Sequence, residues 1–498
     1  MSIAQIIGLV VVLLVAVFVG FLIVKKSKSY DLFKWLGLFF FVTVVLSWIF
    51  KGGYFAGTNF QSITEEANPI GFTDIYTIVT YGFQSVLPKA FFVLAVGAFY
   101  GVLSKTTSYR RLVSTIAKKI KGKEILFTII VSLLFTIMGS MLTQSLVALV
   151  FVPFVVSIIL NTKLDKMTAF VTTIGSMLVG LMGATYGFEG ISEFSYYLGM
   201  QAGKETSLNI VYQALIAVVA FLLLNFFNVR HAKKVLKEKN NNEENVDPFM
   251  VEKTTKKVSL IPSITILAII FILVILGYIN WNGSFGISCF EDFHNWLIAL
   301  SIGDFAVFGK IFGSSAMAFG AWDLTIMPIV LFLFALLAML LDRMNFDNFI
   351  TNMGEGIKVM LLPTLLLVGV QSMIYIANYS PTIPVIINAM IDGIKNFNPF
   401  IASLVALIGS IFQPDLGFNA LTLAGYYVSN YAEYASLVQN IFVMVYGLVG
   451  LCVPTSALLL IGLSYLNIDY KSWIKYIWIF ILALIVILLV LFTVLAYI

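Results

Sequence analysis

Two short polar clusters stand where this sequence should least tolerate them. Thr143-Gln144-Ser145 and Gln413-Pro414-Asp415 each interrupt a long apolar run, and each follows a Gly-Ser pair, Gly139-Ser140 and Gly409-Ser410. Proline removes a helical donor, and glycine lets carbonyls turn inward as ligands for a cation. An ionised aspartate at membrane depth costs on the order of 3 kcal/mol even on lenient scales, so Asp415 is a functional candidate by default. It could coordinate Na⁺, carry a coupling proton, or pair with a substrate amine. Its structural alternative is an ordinary turn, since Pro-Asp-Leu-Gly is common turn chemistry.

The chain around these clusters is built for lipid. It has 498 residues, of which 60% are hydrophobic and 11% charged, and its mean hydropathy is +0.99. That composition excludes a soluble domain and indicates a polytopic, all-α membrane protein. The first apolar run, 3–24, has no cleavage signature and reads as a retained span. Two cysteines and two histidines, His231 and His294, supply no metal spacing, so no metal is expected beyond a Na⁺ ion. No phosphate loop, HExxH or GxSxG is present, which argues against an ATP-driven pump and an intramembrane protease. The catalytic assignment is therefore none.

Candidate spans fall at 3–24, 33–50, 86–103, 168–188, 208–228, 259–279, 324–341, 359–378, 440–457 and 476–497. Two further apolar pairs, 125–160 and 400–430, are broken at their centres and read as hairpins that enter and leave on one side. On this count the basic residues cluster on one face. Only Lys51, Lys89, Lys204, Lys310 and Lys395 lie on the other. The positive-inside rule then places both termini outside the cell membrane and the basic loops in the cytoplasm. The segment 229–258 reads as a charged cytoplasmic linker between a first repeat, 1–228, and a second, 259–498.

The two halves match in sequence at one constant offset. Gly139-Ser140 falls on Gly409-Ser410, Leu178-Val179-Gly180-Leu181 on Leu448-Val449-Gly450-Leu451, and Thr185 on Thr455. Because the first half starts outside and the second inside, the repeat is inverted, which is the pattern of secondary transporters with broken helices at the midplane. Irregular backbone at that depth survives only against protein or a water-filled cavity. The aligned segments 174–187 and 446–456 are the expected broken helices. Ser140, Gly180, Thr185, Ser410, Asp415 and Gly450 are then the candidate cation ligands, although such glycines also serve close helix packing.

GVLSKTTSYRRLVSTIAKKIKGKE at 101–124 and VPTSALLLIGLSYLNIDYKSWIKYIW at 453–478 resemble the DcuC/YfcC-type carriers of the ion transporter superfamily. The resemblance implies about ten transmembrane helices plus two re-entrant hairpins. It implies secondary transport of an amino acid or dicarboxylate, by symport or exchange, coupled to Na⁺ or H⁺ and without another cofactor. It also implies that small polar side chains at the hairpin tips hold the substrate carboxylate. By position these are Thr143, Gln144, Ser145, Gln413 and Asp415, with Asn419, Thr455 and Ser456 beside them. Asp415 departs from that pattern, because a carboxylate repels a dianion unless a cation or proton intervenes. Amino acids are therefore preferred over dicarboxylates. A channel lined by re-entrant loops is the alternative function. The expected partners are a small-molecule substrate and the lipid bilayer, with no nucleic acid, and the spans outside the hairpins could scaffold a homodimer.

Overall fold

In the computed structural model the described residues are 2–26, 30–56, 59–63, 69–187, 189–202, 209–238, 246–251, 258–303, 305–313, 315–392, 394 and 396–497. Lys204 and Lys395, named in the charge pattern, lie outside them, as do 239–245 and 252–257 of the linker. Among the described residues nine helices are long and apolar enough to cross a membrane. Two expected spans come out shorter, as apolar helices over Lys166–Met182 and Ile326–Leu341. Short antiparallel ribbons, β1 (Gly53–Ala56) with β2 (Asn59–Ser62) and β3 (Ser301–Ile302) with β4 (Phe305–Ala306), are small additions to the all-helical expectation.

The first half opens with α1 (Ile3–Lys26), most of whose surface faces outward, and α2 (Asp31–Ile49). A long helix α3 (Phe72–Leu103) follows, then a short amphipathic arm α4 (Thr107–Lys119). Next come α5 (Glu124–Met141), a 3-10 turn over Ser145–Phe151 and α6 (Val152–Leu160). The half closes with α7 (Lys166–Phe170), α8 (Ser176–Met182), α9 (Glu189–Ala202) and α10 (Ile210–Lys237). Helix α10 runs well past the expected span end at 228 into the segment read as linker.

In the second half α11 (Ile261–Tyr278) leads through α12 (Trp281–Phe285), α13 (Cys289–Ala299) and α14 (Val307–Phe312) to α15 (Ile326–Leu341). The order of the first half then recurs. A long helix α16 (Phe346–Tyr379) precedes a short arm α17 (Ile383–Ile391), then α18 (Pro399–Phe412), a break, α19 (Leu416–Asn419) and α20 (Gly425–Asn430). It ends with α21 (Ala435–Cys452), α22 (Ala457–Leu466) and α23 (Tyr470–Tyr497).

The centre of the molecule is the antiparallel pair α3–α16. Small residues set how closely these helices approach. A Cβ added to Gly101 would stand 2.2 Å from the Asn352 carbonyl, and one on Gly356 would stand 2.0 Å from that of Gly97. In lipid no hydrophobic force joins helices, so such backbone proximity is a main source of their attraction.

His231 falls in the segment read from sequence as a charged linker, but it is built into the fold. It lies in α10, with its Nε2 2.8 Å from Asp165 Oδ2. Asp165 caps α7 by accepting the Thr168 N–H at 3.0 Å. Burial alone would raise the Asp165 carboxyl, but the hydrogen bond and charge of His231 outweigh it and hold the pKa below the ordinary 3.8. The stabilisation from this pair is therefore complete above that ordinary value and lost as pH falls through the lower folded one. Asp165→Asn is expected to lower stability by about 1.5–3 kcal/mol near neutral pH, the size of a hydrogen bond to a charged group. Thermal unfolding of both proteins across pH checks this, and their curves should converge only below the ordinary carboxylate range.

Candidate functional site

Each hairpin turns where its helix runs out of partners. Helix α5 stops at Met141, and the backbone of Gln144 is extended before the 3-10 turn begins. The Thr143 N–H donates to the carbonyl of Tyr278, the last residue of α11, at 2.8 Å, and the Thr143 hydroxyl donates to the same oxygen at 3.1 Å. The final carbonyls of a helix have no intrahelical donor, so Tyr278 is a ready acceptor.

The second tip is fastened from within. Gln413 and Asp415 take non-helical backbone on either side of Pro414. Asp415 Oδ1 accepts the Phe418 N–H at 2.7 Å and so caps α19. Asn419 Nδ2 donates to the carbonyls of Gln413 and Asp415, both at 2.9 Å, and Thr422 donates to Gln413 Oε1 at 3.2 Å.

Both expected helix breaks are present. The first follows α8 across 183–187, before α9, and the second separates α21 from α22 across 453–456. Their equivalent hydroxyls behave differently. In the first half Ser140 Oγ donates to the Gly183 carbonyl at 2.7 Å and lies 3.1 Å from Thr185 Oγ1, so the two polar side chains satisfy one another. In the second half Ser410 Oγ and Thr455 Oγ1 are buried and have no hydrogen-bond partner among the described residues.

A cavity of about 390 Å³ lies between the tips, within the usual range for small-molecule sites. Of the residues chosen from sequence, Thr143, Gln144, Ser145, Ser410, Asp415, Gly450, Thr455 and Ser456 line it. Gln413 and Asn419 do not; both are fully buried, with Gln413 Oε1 and Asn419 Nδ2 bonded within the hairpin. Ser140 and Thr185 are spent on one another. Gly180 packs on hairpin backbone, where a Cβ would stand 2.1 Å from the Thr136 carbonyl, and is a packing glycine rather than a ligand at this wall.

Lys89, Glu193, Gln371 and Tyr446 are polar lining residues that escaped the sequence reading. Lys89 was counted only among the basic residues of the outer face, whereas it lies well inside α3, directly after the in-helix Pro88, and lines the cavity. It makes no ion pair among the described residues. Gln371 comes from α16 and Glu193 from α9, which packs on the second hairpin. The position of a Cβ on Gly417 would be 2.7 Å from Glu193 Oε2 and 3.5 Å from Asp415 Oδ1, so the two carboxylates are near neighbours. A lysine embedded in a run such as VLPKAFFVLAV was the available signal for Lys89, because a mid-membrane cation needs a cavity or a partner.

The chain's overall path is similar to two solved transporters. One is the YdaH transporter of Alcanivorax borkumensis, at 11% identity, covering 92% of this chain and 97% of that one, with a TM-score of 0.42. The other is MtrF of Neisseria gonorrhoeae, described with a class of antimetabolite efflux pumps, at 12% identity, covering 92% and 94%, with a TM-score of 0.37. No curated protein matches the chain. The family comparison spans nearly the whole sequence, residues 7–497, and the chain belongs to the DcuC family, C4-dicarboxylate anaerobic carrier.

Proposed function

We propose that the cavity between the hairpin tips binds a substrate bearing both a carboxylate and an amine, carried by cation-coupled alternating access. Membership of a carrier family makes the protein a secondary transporter of carboxylates and disfavours the channel reading. The observation that carries the finer reading is the charge set of the cavity lining, where the basic Lys89 and the acidic Asp415 both stand. Lys89 and the polar tip Thr143-Gln144-Ser145 suit a substrate carboxylate. Asp415 and Glu193 suit an ammonium group or a coupling cation. A dianion would meet the Asp415 carboxylate as a like charge, which in a site of low dielectric costs several kcal/mol. The second reading is a C4-dicarboxylate, favoured by the family's description. It requires a Na⁺ or H⁺ to neutralise Asp415.

The hydroxyls of Ser410 and Thr455, with Asp415 and the Gly450 backbone beside them, are the proposed seat of the coupling cation. The equivalent Ser140–Thr185 pair is already satisfied, so one seat rather than two is proposed. On this reading both termini face outward across the cell membrane and the basic arms face the cytoplasm. Any homodimer would form through elements outside the hairpins.

Uptake into proteoliposomes tests the scheme. An amino-acid panel should compete for uptake better than a dicarboxylate panel, and the reverse order would establish the second reading. Asp415→Asn should reduce cation-dependent uptake by about 10–100-fold, the effect of removing a charged hydrogen-bonding group. Unchanged uptake with intact ion dependence would remove Asp415 from the mechanism.

A further inference from the structure

The segment between the two halves is not a plain solvated linker. Its residues 246–251 form a compact turn, with the Met250 N–H donating to the Asp247 carbonyl at 2.9 Å. Asp247, Phe249 and Val251 are buried, whereas Met250 points outward. Phe249 packs between Tyr100 of α3 and Tyr465 of α22, with ring centroids 5.7 and 6.0 Å away. This strap thereby touches the central helix, the arm α4 through Tyr109, and both hairpin-side elements α6 and α22.

Beneath the strap lies an unusual polar cluster. Asp247 Oδ1 accepts the Phe249 N–H at 2.9 Å, but Oδ2 has no hydrogen-bond partner among the described residues. Three hydroxyls are in the same condition, Ser157 Oγ of α6, Tyr109 Oη of α4 and Tyr465 Oη of α22. All four side chains are at least nine-tenths buried. Ser157 stands close enough to Asp247 and Tyr109 to perturb both, yet its hydroxyl reaches hydrogen-bonding geometry with neither. Among the described residues the titratable groups facing Asp247 are Tyr100, Tyr109 and Tyr465, all neutral near pH 7, and no basic side chain opposes it there. Burial accordingly pushes the Asp247 carboxyl above its ordinary pKa.

Four buried oxygens gathered in one cluster, none with a hydrogen-bond partner among the described residues, leave either four desolvation penalties or a guest between them. One carboxylate and three hydroxyls balance a single positive charge. All are hard oxygen donors, and ligands around a small cation stand farther apart than hydrogen-bonded oxygens. We propose that the Asp247–Ser157–Tyr109–Tyr465 cluster binds an alkali cation that fastens the connector between the halves onto α4, α6 and α22. This site is separate from the transport cavity and shares none of its residues.

The test uses the purified full-length chain bearing Val251→Cys, with maleimide labelling measured on the peptide containing residue 251. Residue 251 is buried while the strap is seated, so labelling reports its release. Na⁺ or K⁺ in place of N-methyl-D-glucamine should slow labelling about tenfold at ten times the dissociation constant, because only the seated form binds the ion. Asp247→Asn should abolish this protection, and the milder Ser157→Ala should shift it to higher cation concentration. Asp415→Asn should leave it intact, which separates this site from the transport cavity. Equal labelling with and without alkali ions would overturn the proposal. So would protection that persists in Asp247→Asn, disappears in Asp415→Asn, or follows pH alone.

Discussion

Lys89→Gln raises the KM for uptake by about 10–100-fold, with a smaller change in maximal rate. A hydrogen bond to a charged group contributes about 1.5–3 kcal/mol, and each 1.4 kcal/mol is tenfold in affinity. Lys89 faces the cavity, where it is the lone basic residue among the lining side chains. Its ammonium is not already committed to a carboxylate among the described residues, so the full effect should fall on substrate. Lys89→Arg should recover part of the affinity, because charge is retained while the geometry of contact changes. Concentration-dependent uptake into proteoliposomes measures all three. An unchanged KM in Lys89→Gln would mean that the ammonium serves only to keep α3 hydrated.

Gly101→Ala destabilises the folded protein by about 3 kcal/mol or more, at the upper end of what an overpacked contact usually costs. The added methyl would stand 2.2 Å from the Asn352 carbonyl and 2.9 Å from the Gly356 backbone. Backbone cannot rotate away as a side chain can, so α3 and α16 must separate along part of their length. Gly354→Ala, in α16 itself, is the matched control. Nothing lies within 4 Å of its added methyl, and alanine is the better helix former by about 1 kcal/mol. Thermal unfolding in detergent should therefore move in opposite directions for the two variants. A similar loss in both would point to general intolerance of the helix pair rather than to this contact.

The hairpins were legible in sequence because lipid forbids their residues without a reason. A Gln-Pro-Asp or Thr-Gln-Ser inside apolar text must mark a turn, a cavity or both, and most of the residues chosen on that ground line the cavity. Side-chain direction was not legible. Gln413 and Asn419 have the composition of ligands, but Gln413 Oε1 and Asn419 Nδ2 are engaged in the turn around Pro414, while Gln413 Nε2 and Asn419 Oδ1 are buried without a partner among the described residues. Nor could sequence distinguish Ser140 from Ser410, since the difference lies in whether an equivalent threonine is within reach. Lys89 was missed because it sits near the start of the expected span 86–103 and was counted with the charges of the outer face, whereas α3 begins far earlier, at Phe72. The strap was missed for the opposite reason. Its apolar core, Phe249-Met250-Val251, is too short for any span and was submerged in the charge of 229–258.

The bond between Thr143 and Tyr278 constrains how such a carrier can move. One carbonyl at the end of α11 holds the tip of the first hairpin by two donors, at 2.8 and 3.1 Å. Each such hydrogen bond is worth roughly 1 kcal/mol net. Either α11 travels with the hairpin, or every transport cycle begins by slipping this catch. In the second case the Tyr278 carbonyl acts as a detent, a shallow notch that keeps the empty carrier from drifting between its two faces. The notch is weak enough for bound substrate to overcome, and its contact with Thr143 places it beside the residues that sense whether the cavity is filled.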